Sequence, residues 1–333
     1  MILITGGTGL VGSHILLHLI ESKNLRNGQI RAIYRDHDSI QKTKNLFAHY
    51  NKSNLFEVIE WFKADVTDVP LLEKAFEGID CVYHCAAIIS FDQKDEGKMR
   101  KINIEGTANI VNLSIANKVT KICHISSTAA LGDLAPTETE VTEESQWNPD
   151  RSHNDYAISK YGAEMEIWRG QQEGLDVIIV NPGVIIGPGF IDQGSGLLFQ
   201  RVKKGLSFYS TGITGFIAVT DVAYSCVYLM NSDFKNEKYI LIAENNSFKN
   251  VLSAIADNLK VKRPSIAVSP IVTEIVWRLD LVASFILRKK RSFTKATARG
   301  SYSQVVFSNE KIKKALDKPL QGIEDYIKSN KFI

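Results

Sequence analysis

The sequence lacks the features that mark several specialised classes of protein. Only four of its 333 residues are cysteines, and their spacing is not that of a zinc site or a small disulfide-rich scaffold. No window of about 18 uncharged apolar residues occurs, so no transmembrane helix is expected. The net charge of +3 is too small and too dispersed to indicate a nucleic-acid partner. Low-complexity tracts and internal repeats are also absent.

Cysteine usage favours a cytoplasmic protein without a metal site. Most of the cysteines lie in or beside apolar runs, where Cys packs as a small hydrophobe. A strand that begins at Met1 leaves no place for a signal peptide. Alternate residues of a strand point to opposite faces, which favours core packing over metal binding for one conspicuous group. That group consists of Cys81, His84, Cys85, Cys123 and His124.

A glycine-rich turn stands almost at the start of the chain. It reads Thr5-Gly6-Gly7-Thr8-Gly9-Leu10-Val11-Gly12, after an apolar run and before a stretch that is apolar at helical spacing. Small residues let the backbone approach a pyrophosphate, and the amino-terminal end of the next helix favours negative charge. This context of strand, turn and helix predicts a dinucleotide site. The residues predicted to bind are Gly6, Thr8, Gly9, Leu10, Val11 and Gly12.

Apolar, β-branched runs alternate with helical patterns over the first half of the chain. The predicted strands are Ile2–Thr5, Ile30–Tyr34, Glu57–Lys63, Cys81–His84, Lys121–Ser126 and Asp176–Asn181. The predicted helices are Leu10–Ser22, Ser39–Tyr50, Leu71–Phe76, Gly97–Asn117 and Tyr156–Gln172. This alternation predicts an α/β protein with a doubly wound, parallel Rossmann sheet.

The pattern changes after Pro182. We expect residues 1–182, with 216–243 returning to them, to form the dinucleotide-binding domain. Residues 183–215 and 244–333 are expected to form a smaller, mixed α/β lobe, with the substrate between the two. Within the returning segment, a strand at Phe216–Val219 is predicted to lead into a helix capped by Thr220 or Asp221.

One strongly apolar stretch, Pro270–Leu287, precedes the basic run Arg288-Lys289-Lys290-Arg291. Core packing is the usual fate of such a pattern, so we expect a helix packed on its own lobe. A membrane-surface helix with a basic end, formed by residues 270–291, is the alternative. The residues that share one helical face are Ile271, Ile275, Leu279, Val282 and Ile286.

Tyr156 and Lys160 are four residues apart, which places both on one face of a predicted helix. Ser126 and Ser127 end the predicted fifth strand. Both groups follow carboxyl ends of parallel strands, where open α/β sheets bind their ligands. We therefore predict a catalytic site here.

Together these motifs resemble the extended short-chain dehydrogenase/reductase family, within the NAD-dependent epimerase/dehydratase superfamily, over nearly the whole chain. The segment Ile30–Arg35 resembles its dihydroflavonol-reductase and 3β-hydroxysteroid-dehydrogenase-like branch. The other motifs that carry the resemblance are the glycine turn, Asp65-Val66, His84-Cys85-Ala86-Ala87, Asn103-Ile104-Glu105-Gly106-Thr107, Ser126-Ser127, Tyr156 with Lys160, and Asn181-Pro182-Gly183 leading to Gly187-Pro188-Gly189.

The resemblance implies roles for individual residues. Tyr156 would be the acid/base, Lys160 its partner and a ligand of the nicotinamide ribose, and Ser127 the hydroxyl that polarises the substrate. Ser126 is a possible helper. Further residues are implied to bind the cofactor, with the first two at the adenine: Asp65, Val66, Cys85, Ala86, Ala87, Pro182 and Gly183. Family members often form dimers, so a homodimer through Gly97–Asn117 and Tyr156–Gln172 is an expectation.

The expected chemistry sets requirements on the Tyr156 phenol. A free phenol has a pKa near 10, and a nearby ammonium together with the nicotinamide charge would favour phenolate. Lowering the pKa by about 3 units requires roughly 4 kcal/mol of differential stabilisation. Asn103 matches a family residue, although an N-cap or a packing amide explains it as well. His153 is not expected to be a second base.

Arg35 occupies the position, at the end of the second strand, where an acidic residue would bind the ribose 2′-hydroxyl of NAD. A guanidinium suits a 2′-phosphate, so NADP is favoured over NAD. The predicted function is hydride transfer between the nicotinamide and a carbonyl or secondary alcohol of a small substrate. Aromatic residues of the second lobe favour a hydrophobic one. Alternatives are a sugar-nucleotide epimerase that retains NAD, and a non-catalytic NADP-sensing protein.

Overall fold

A computed structural model describes residues 1–286, 291 and 293–332. Its strands are β1 (Ile2–Thr5), β2 (Ile30–Tyr34), β3 (Glu60–Lys63), β4 (Cys81–His84), β5 (Lys121–Ile125), β6 (Asp176–Pro182), β7 (Val184–Ile186), β8 (Phe208–Tyr209), β9 (Ile213–Ala218), β10 (Glu237–Leu241), β11 (Glu244–Ser247) and β12 (Ile266–Ala267). Seven of them form the central sheet in the order β10-β6-β5-β4-β1-β2-β3. Every neighbouring pair in it is parallel.

Helices cover both faces of the central sheet. They are α1 (Leu10–Lys23), α2 (Ile40–His49), α3 (Ser53–Phe56), α4 (Val69–Ala75), α5 (Glu96–Met99), α6 (Gly106–Ala116), α7 (Asp155–Gln172), α8 (Gly196–Lys203), α9 (Val219–Asn231), α10 (Phe248–Asn258), α11 (Pro270–Ile286), α12 (Lys295–Gly300), α13 (Glu310–Ala315) and α14 (Ile323–Ser329). One apolar cluster joins the sheet to α1 and α9, and a second joins it to α4, α6 and α7. The predicted doubly wound Rossmann fold is confirmed, because continuous apolar strands can be buried only between two helical layers.

The strand order reverses at β1, whose neighbours are β2 and β4. In open α/β sheets ligands bind at such a switch point, outside the carboxyl ends of the strands. The loops that follow β1 and β4 lie in contact here. The amide of Ala86 donates to Thr5 Oγ1 at 3.1 Å, and the amide of Cys85 donates to the Thr5 carbonyl at 3.2 Å.

A smaller carboxyl-terminal region contains a three-stranded sheet in the order β11-β9-β7. A third apolar cluster connects this sheet to α8, α10 and α14. Gly183 leads from the central sheet into it, and a Cβ at Gly183 would lie 2.3 Å from the carbonyl oxygen of Gly215. The two sheets therefore approach at a distance that only glycine permits.

Local details differ from the sequence expectations in three places. The strand predicted at Phe216–Val219 runs from Ile213 to Ala218, in the three-stranded sheet. Neither Thr220 nor Asp221 caps α9. Ala218 holds the N-cap position without a side-chain bond, and Asp221 instead accepts a hydrogen bond from the Gln321 amide at 2.7 Å. The predicted helix Gly97–Asn117 is interrupted by a π-helical turn, Arg100–Glu105.

Helix α11 contacts α12, but through the side opposite to the face that its apolar residues share. Ile271, Leu279 and Ile286 are 73%, 62% and 70% exposed, and Ile275 and Val282 are exposed as well. Leu287 and the basic residues 288–290 of the predicted segment lie outside the described residues. Within the described part of the chain, no helix is long and apolar enough to cross a membrane.

All four cysteines are free thiols. Cys123 and Cys226 are buried, whereas Cys81 and Cys85 are partly buried. Burial raises the pKa of Cys81, Cys85 and Cys226 above the ordinary thiol value.

The contact at Gly183 predicts a clear difference between two glycine substitutions. Gly183→Ala should destabilise the protein by about 1–3 kcal/mol, because overpacking forces the backbone to shift. Gly97→Ala is the matched control, since nothing lies within 4 Å of its added Cβ, and it should leave stability unchanged or raise it slightly. Thermal unfolding followed by circular dichroism measures both. Equal melting temperatures would contradict the inferred close approach.

Candidate active site

The glycine turn forms a tight cradle at the switch point. Gly6 has a positive φ of 67°, and its Cβ would lie 2.8 Å from the Ala86 nitrogen. A Cβ at Gly12 would lie 2.3 Å from the carbonyl oxygen of Gly6. Thr8, between these positions, is partly buried. Side chains larger than hydrogen are therefore excluded at both glycines, which explains the spacing in the sequence.

Helix α1 begins immediately after this cradle. Its N-cap, Gly9, has an extended backbone and offers no side chain to the amides of the first turn. Leu10 and Val11 thus begin a helix whose positive end faces the switch point without a side-chain cap. Buried Thr43 on α2 braces the turn, because its hydroxyl donates to the Gly7 carbonyl at 3.0 Å.

Asn103 connects the loop after β4 to the helix that carries Tyr156. Its Oδ1 accepts from the Ile88 amide at 2.9 Å, and its Nδ2 donates to the Ile88 carbonyl and to Ser159 Oγ, both at 3.0 Å. Asn103 is buried within the π-helical turn. It is therefore a bridging amide rather than an N-cap.

Ser127 and Tyr156 lie together at the carboxyl edge of the sheet. Ser127 follows β5, and its carbonyl accepts a hydrogen bond from Asn181 Nδ2 at 2.9 Å. Helix α7 carries Tyr156 in its first turn, where Asn154 caps the helix by accepting from the Ala157 amide at 2.9 Å. Burial raises the Tyr156 pKa above its ordinary value, and a hydrogen bond with Ser127 partly offsets the rise.

The lowered phenol pKa expected from the sequence depends on the nicotinamide charge as well as on Lys160, so it stays a prediction for the complex. Lys160 lies one turn further along α7, is almost fully buried, and donates from Nζ to the Ile125 carbonyl at 2.7 Å. Burial lowers the pKa of Lys160 to about 8, with Glu164 acting in the opposite direction. In the protein alone, desolvation sets the direction of the Tyr156 pKa, and the hydrogen bond with Ser127 opposes it.

Behind Lys160 lies a carboxylate that the sequence analysis missed. Glu164 is 1% exposed and accepts hydrogen bonds from Ser126 Oγ and Asn181 Nδ2. Lys238 Nζ lies 4.0 Å from its Oε2. The Ser126 hydroxyl thus donates its hydrogen bond to Glu164. Glu164 is four residues after Lys160, a spacing that predicts a shared helix face. The sequence does not show that this face is buried.

Two further predicted residues lie at the ends of β2 and β3. Arg35 is 55% exposed by side chain, and its guanidinium lies 3.8 Å from Asp65 Oδ2. Asp65 also accepts from the amide and hydroxyl of Thr67. Val66 packs against Gly106, where a Cβ would lie 2.6 Å from its side chain. Arg31, by contrast, is buried and paired with Glu60 at 2.8 Å, so it is structural.

A family model for the NAD dependent epimerase/dehydratase family matches residues 2–242. The chain belongs to this family. The resemblance to the extended dehydrogenases and their dihydroflavonol-reductase-like branch is thereby confirmed. The match covers the glycine turn, β1–β6 and the helix with Tyr156 and Lys160. Members of the family bind NAD(P), and the chain is an enzyme of the oxidoreductase type.

Named relatives and a solved structure agree with this assignment. The chain is 29% identical over 261 residues to a putative dihydroflavonol 4-reductase from Synechocystis, a match spanning 76% of this chain and 71% of that protein. It is 26% identical over 307 residues to anthocyanidin reductase of Arabidopsis thaliana, across 81% and 88% of the two chains. The crystal structure of gox2253 superposes with a TM-score of 0.78 at 25% identity, covering 98% and 96%.

The residues at the switch point fit a dinucleotide. The cradle has no side chains at Gly6, Gly9 and Gly12, the helix behind it has no side-chain cap, and small residues line the opposing loop. Of that loop, Cys85 and Ala86 are partly buried and Ala87 is exposed. Pro182 ends β6, and the contact with Gly215 accounts for Gly183 independently of a cofactor.

Two histidines singled out in the sequence, His153 and His84, have structural contacts. His153 stacks on Trp147 at 3.8 Å, and its Nε2 lies 3.0 Å from the Asn148 carbonyl. The ring of His84 is bonded to the hydroxyls of Thr5 and Thr107. These histidines hold loops and helices in place.

The pKa of Lys160, together with its expected role as a ligand of the nicotinamide ribose, predicts a pH dependence of cofactor binding. Affinity for NADPH should fall as the pH rises through about 8, because a base loses its charge above its pKa. Glu164→Gln removes a carboxylate that raises the Lys160 pKa, so the inflection should move to lower pH. The matched control is Glu166→Gln, which removes an ion pair with Arg169 on the same helix. Fluorescence titration across pH measures both. An inflection unmoved by Glu164→Gln would contradict the coupling.

Proposed function

We propose that this protein is an NADP(H)-dependent reductase that interconverts a carbonyl group and a secondary alcohol on a small, apolar substrate. The observation that carries the proposal is the position of the Tyr156 hydroxyl, beside Ser127 at the carboxyl edge of the sheet and one helical turn before Lys160. A phenol is protonated at neutral pH, and burial raises the pKa of this one further. A protonated phenol is the form required to give a proton to the oxygen of a carbonyl that is being reduced.

In this reaction each of the three catalytic residues has a defined role. Ser127 binds the substrate oxygen and orients it. Tyr156 gives its proton to that oxygen and takes it back when the reaction runs as an oxidation. Lys160 stabilises the phenolate that remains, and its contact with the Ile125 carbonyl fixes its position. When bound, the nicotinamide supplies or accepts the hydride.

The surroundings of Tyr156 support an apolar substrate. The ring of Phe91 lies edge-on to Tyr156 with centroids 5.8 Å apart. Phe91 and its neighbour Ile89 are exposed in the loop that Asn103 holds. Exposed apolar side chains beside a reacting hydroxyl provide a surface for an apolar ligand.

Arg35 supports NADP as the cofactor. Its distance of 3.8 Å from Asp65 at an exposed position makes this ion pair weak. The guanidinium is therefore available to a 2′-phosphate, with which it forms charge-assisted hydrogen bonds.

The catalytic assignment predicts that Tyr156→Phe abolishes reduction of apolar ketones and aldehydes by NADPH. The loss should be at least about a hundredfold, since general acid catalysis contributes about 10²–10⁴-fold. NADPH affinity should change little. Tyr161→Phe, a neighbouring tyrosine that stacks on Trp147, serves as the control and should stay active. Full turnover by Tyr156→Phe, or tightly retained NAD without net turnover in the wild type, would overturn the proposal, the latter in favour of an epimerase.

The cofactor assignment predicts a selective loss in Arg35→Gln. Hydrogen bonds to charged groups contribute about 1.5–3 kcal/mol, so NADPH should bind roughly tenfold to a hundredfold more weakly. NADH affinity should be unaffected. Arg26→Gln removes the same charge at another exposed residue and should alter neither the NADPH affinity nor the NADH affinity. Calorimetry with both nucleotides measures the ratio, and an equal loss for NADPH and NADH would contradict the role of Arg35.

A further inference from the structure

Helix α11 differs from an ordinary surface helix in which of its sides is buried. Its polar side faces the protein: Thr273 is buried, and Glu274 and Trp277 are partly buried. Its apolar side faces outward. We define the α11 surface as five of the exposed apolar residues of this helix, Ile271, Ile275, Leu279, Val282 and Ile286. A monomer gains nothing from this arrangement, because the apolar surface stays in water.

Inward contacts also neutralise the acidic groups of the helix. Glu274 accepts from Trp277 Nε1 at 3.0 Å and pairs with Arg278, and Arg299 lies 3.7 Å away. Asp280 lies 3.7 Å from Arg291 and accepts from the Phe293 amide at 3.3 Å. No unpaired carboxylate therefore stands beside the α11 surface on this helix.

Positive charge is concentrated in the stretch of sequence that contains α11, in contrast to the dispersed charge expected for the chain as a whole. Residues 270–299 contain seven Lys or Arg and two Asp or Glu, a net charge of +5. The rest of the chain has 33 basic and 35 acidic residues, a net charge of −2. Of the described cations, Arg278, Lys295 and Arg299 are exposed.

We propose that the α11 surface docks on an anionic lipid membrane. An amphipathic helix that lies in the interface buries its apolar side at the boundary of headgroups and acyl chains, and flanking cations attract anionic lipids. The complementary charge favours this occupant over a second copy of the chain, because pairing two copies brings segments of like charge together. The helix lies on the membrane and does not cross it.

The test is co-sedimentation of the full chain with phosphatidylcholine vesicles, with and without about one quarter phosphatidylglycerol. The expected result is salt-sensitive binding to the anionic vesicles only. Leu279→Gln should weaken binding to the anionic vesicles at least about tenfold, because the variant loses the free energy gained by burying a Leu side chain. Lys295→Gln should weaken it about fivefold. Val69→Gln, at an exposed apolar residue of α4, should bind as the wild type does.

Because Leu279 and Lys295 are exposed, both variants should retain the wild-type circular dichroism spectrum. Equal binding to neutral and anionic vesicles, no binding to either, or an equal loss in Val69→Gln overturns the proposal. A concentration-dependent dimer that Leu279→Gln abolishes, without vesicle binding, also overturns it and identifies a second copy as the occupant.

Discussion

The position of one ammonium group inside the protein constrains the whole site. Removing a charge from water costs several kcal/mol unless hydrogen bonds and opposite charge replace the lost hydration. Lys160 obtains these from the Ile125 carbonyl and from Glu164. Glu164 in turn is held by Ser126 and Asn181. The ends of β5 and β6 and the first turns of α7 are therefore fixed relative to one another by a single polar network.

A second set of contacts joins the substrate side of the site to this network. Asn103 holds the backbone of Ile88 and the hydroxyl of Ser159, and Ser159 donates to the Tyr156 carbonyl at 2.8 Å. The π-helical turn places Asn103 in this position, in keeping with the frequent occurrence of such turns at functional sites. The apolar loop with Phe91 and the helix with Tyr156 thus form one structural unit.

The sequence was sufficient for the central sheet and for the local motifs. Alternating apolar strands and helices predicted the Rossmann fold, and the glycine turn predicted the cradle, because both depend on short-range patterns. Features that depend on tertiary packing could not be predicted in this way. The burial of Glu164 and the pairing of Arg31 with Glu60 follow from neighbours distant in the sequence.

The orientation of helix α11 is another feature that depends on tertiary packing. Its periodicity correctly predicted a helix, but periodicity does not state which side faces the protein. The inward contacts of Glu274 and Asp280 decide the orientation, and their partners Arg299 and Arg291 follow the helix in the chain. The roles of Ser127, Tyr156, Lys160 and Arg35 stay predictions.

The free thiols have a practical consequence for spectroscopy. The thiolate is the form that reacts with maleimides and iodoacetamides, and burial keeps Cys81, Cys85 and Cys226 protonated at neutral pH. Cys123 is shielded by its position inside β5. A cysteine introduced on an exposed turn should therefore react far faster than the native ones. Fluorophores or spin labels can thus be attached at single chosen positions while the native cysteines are kept.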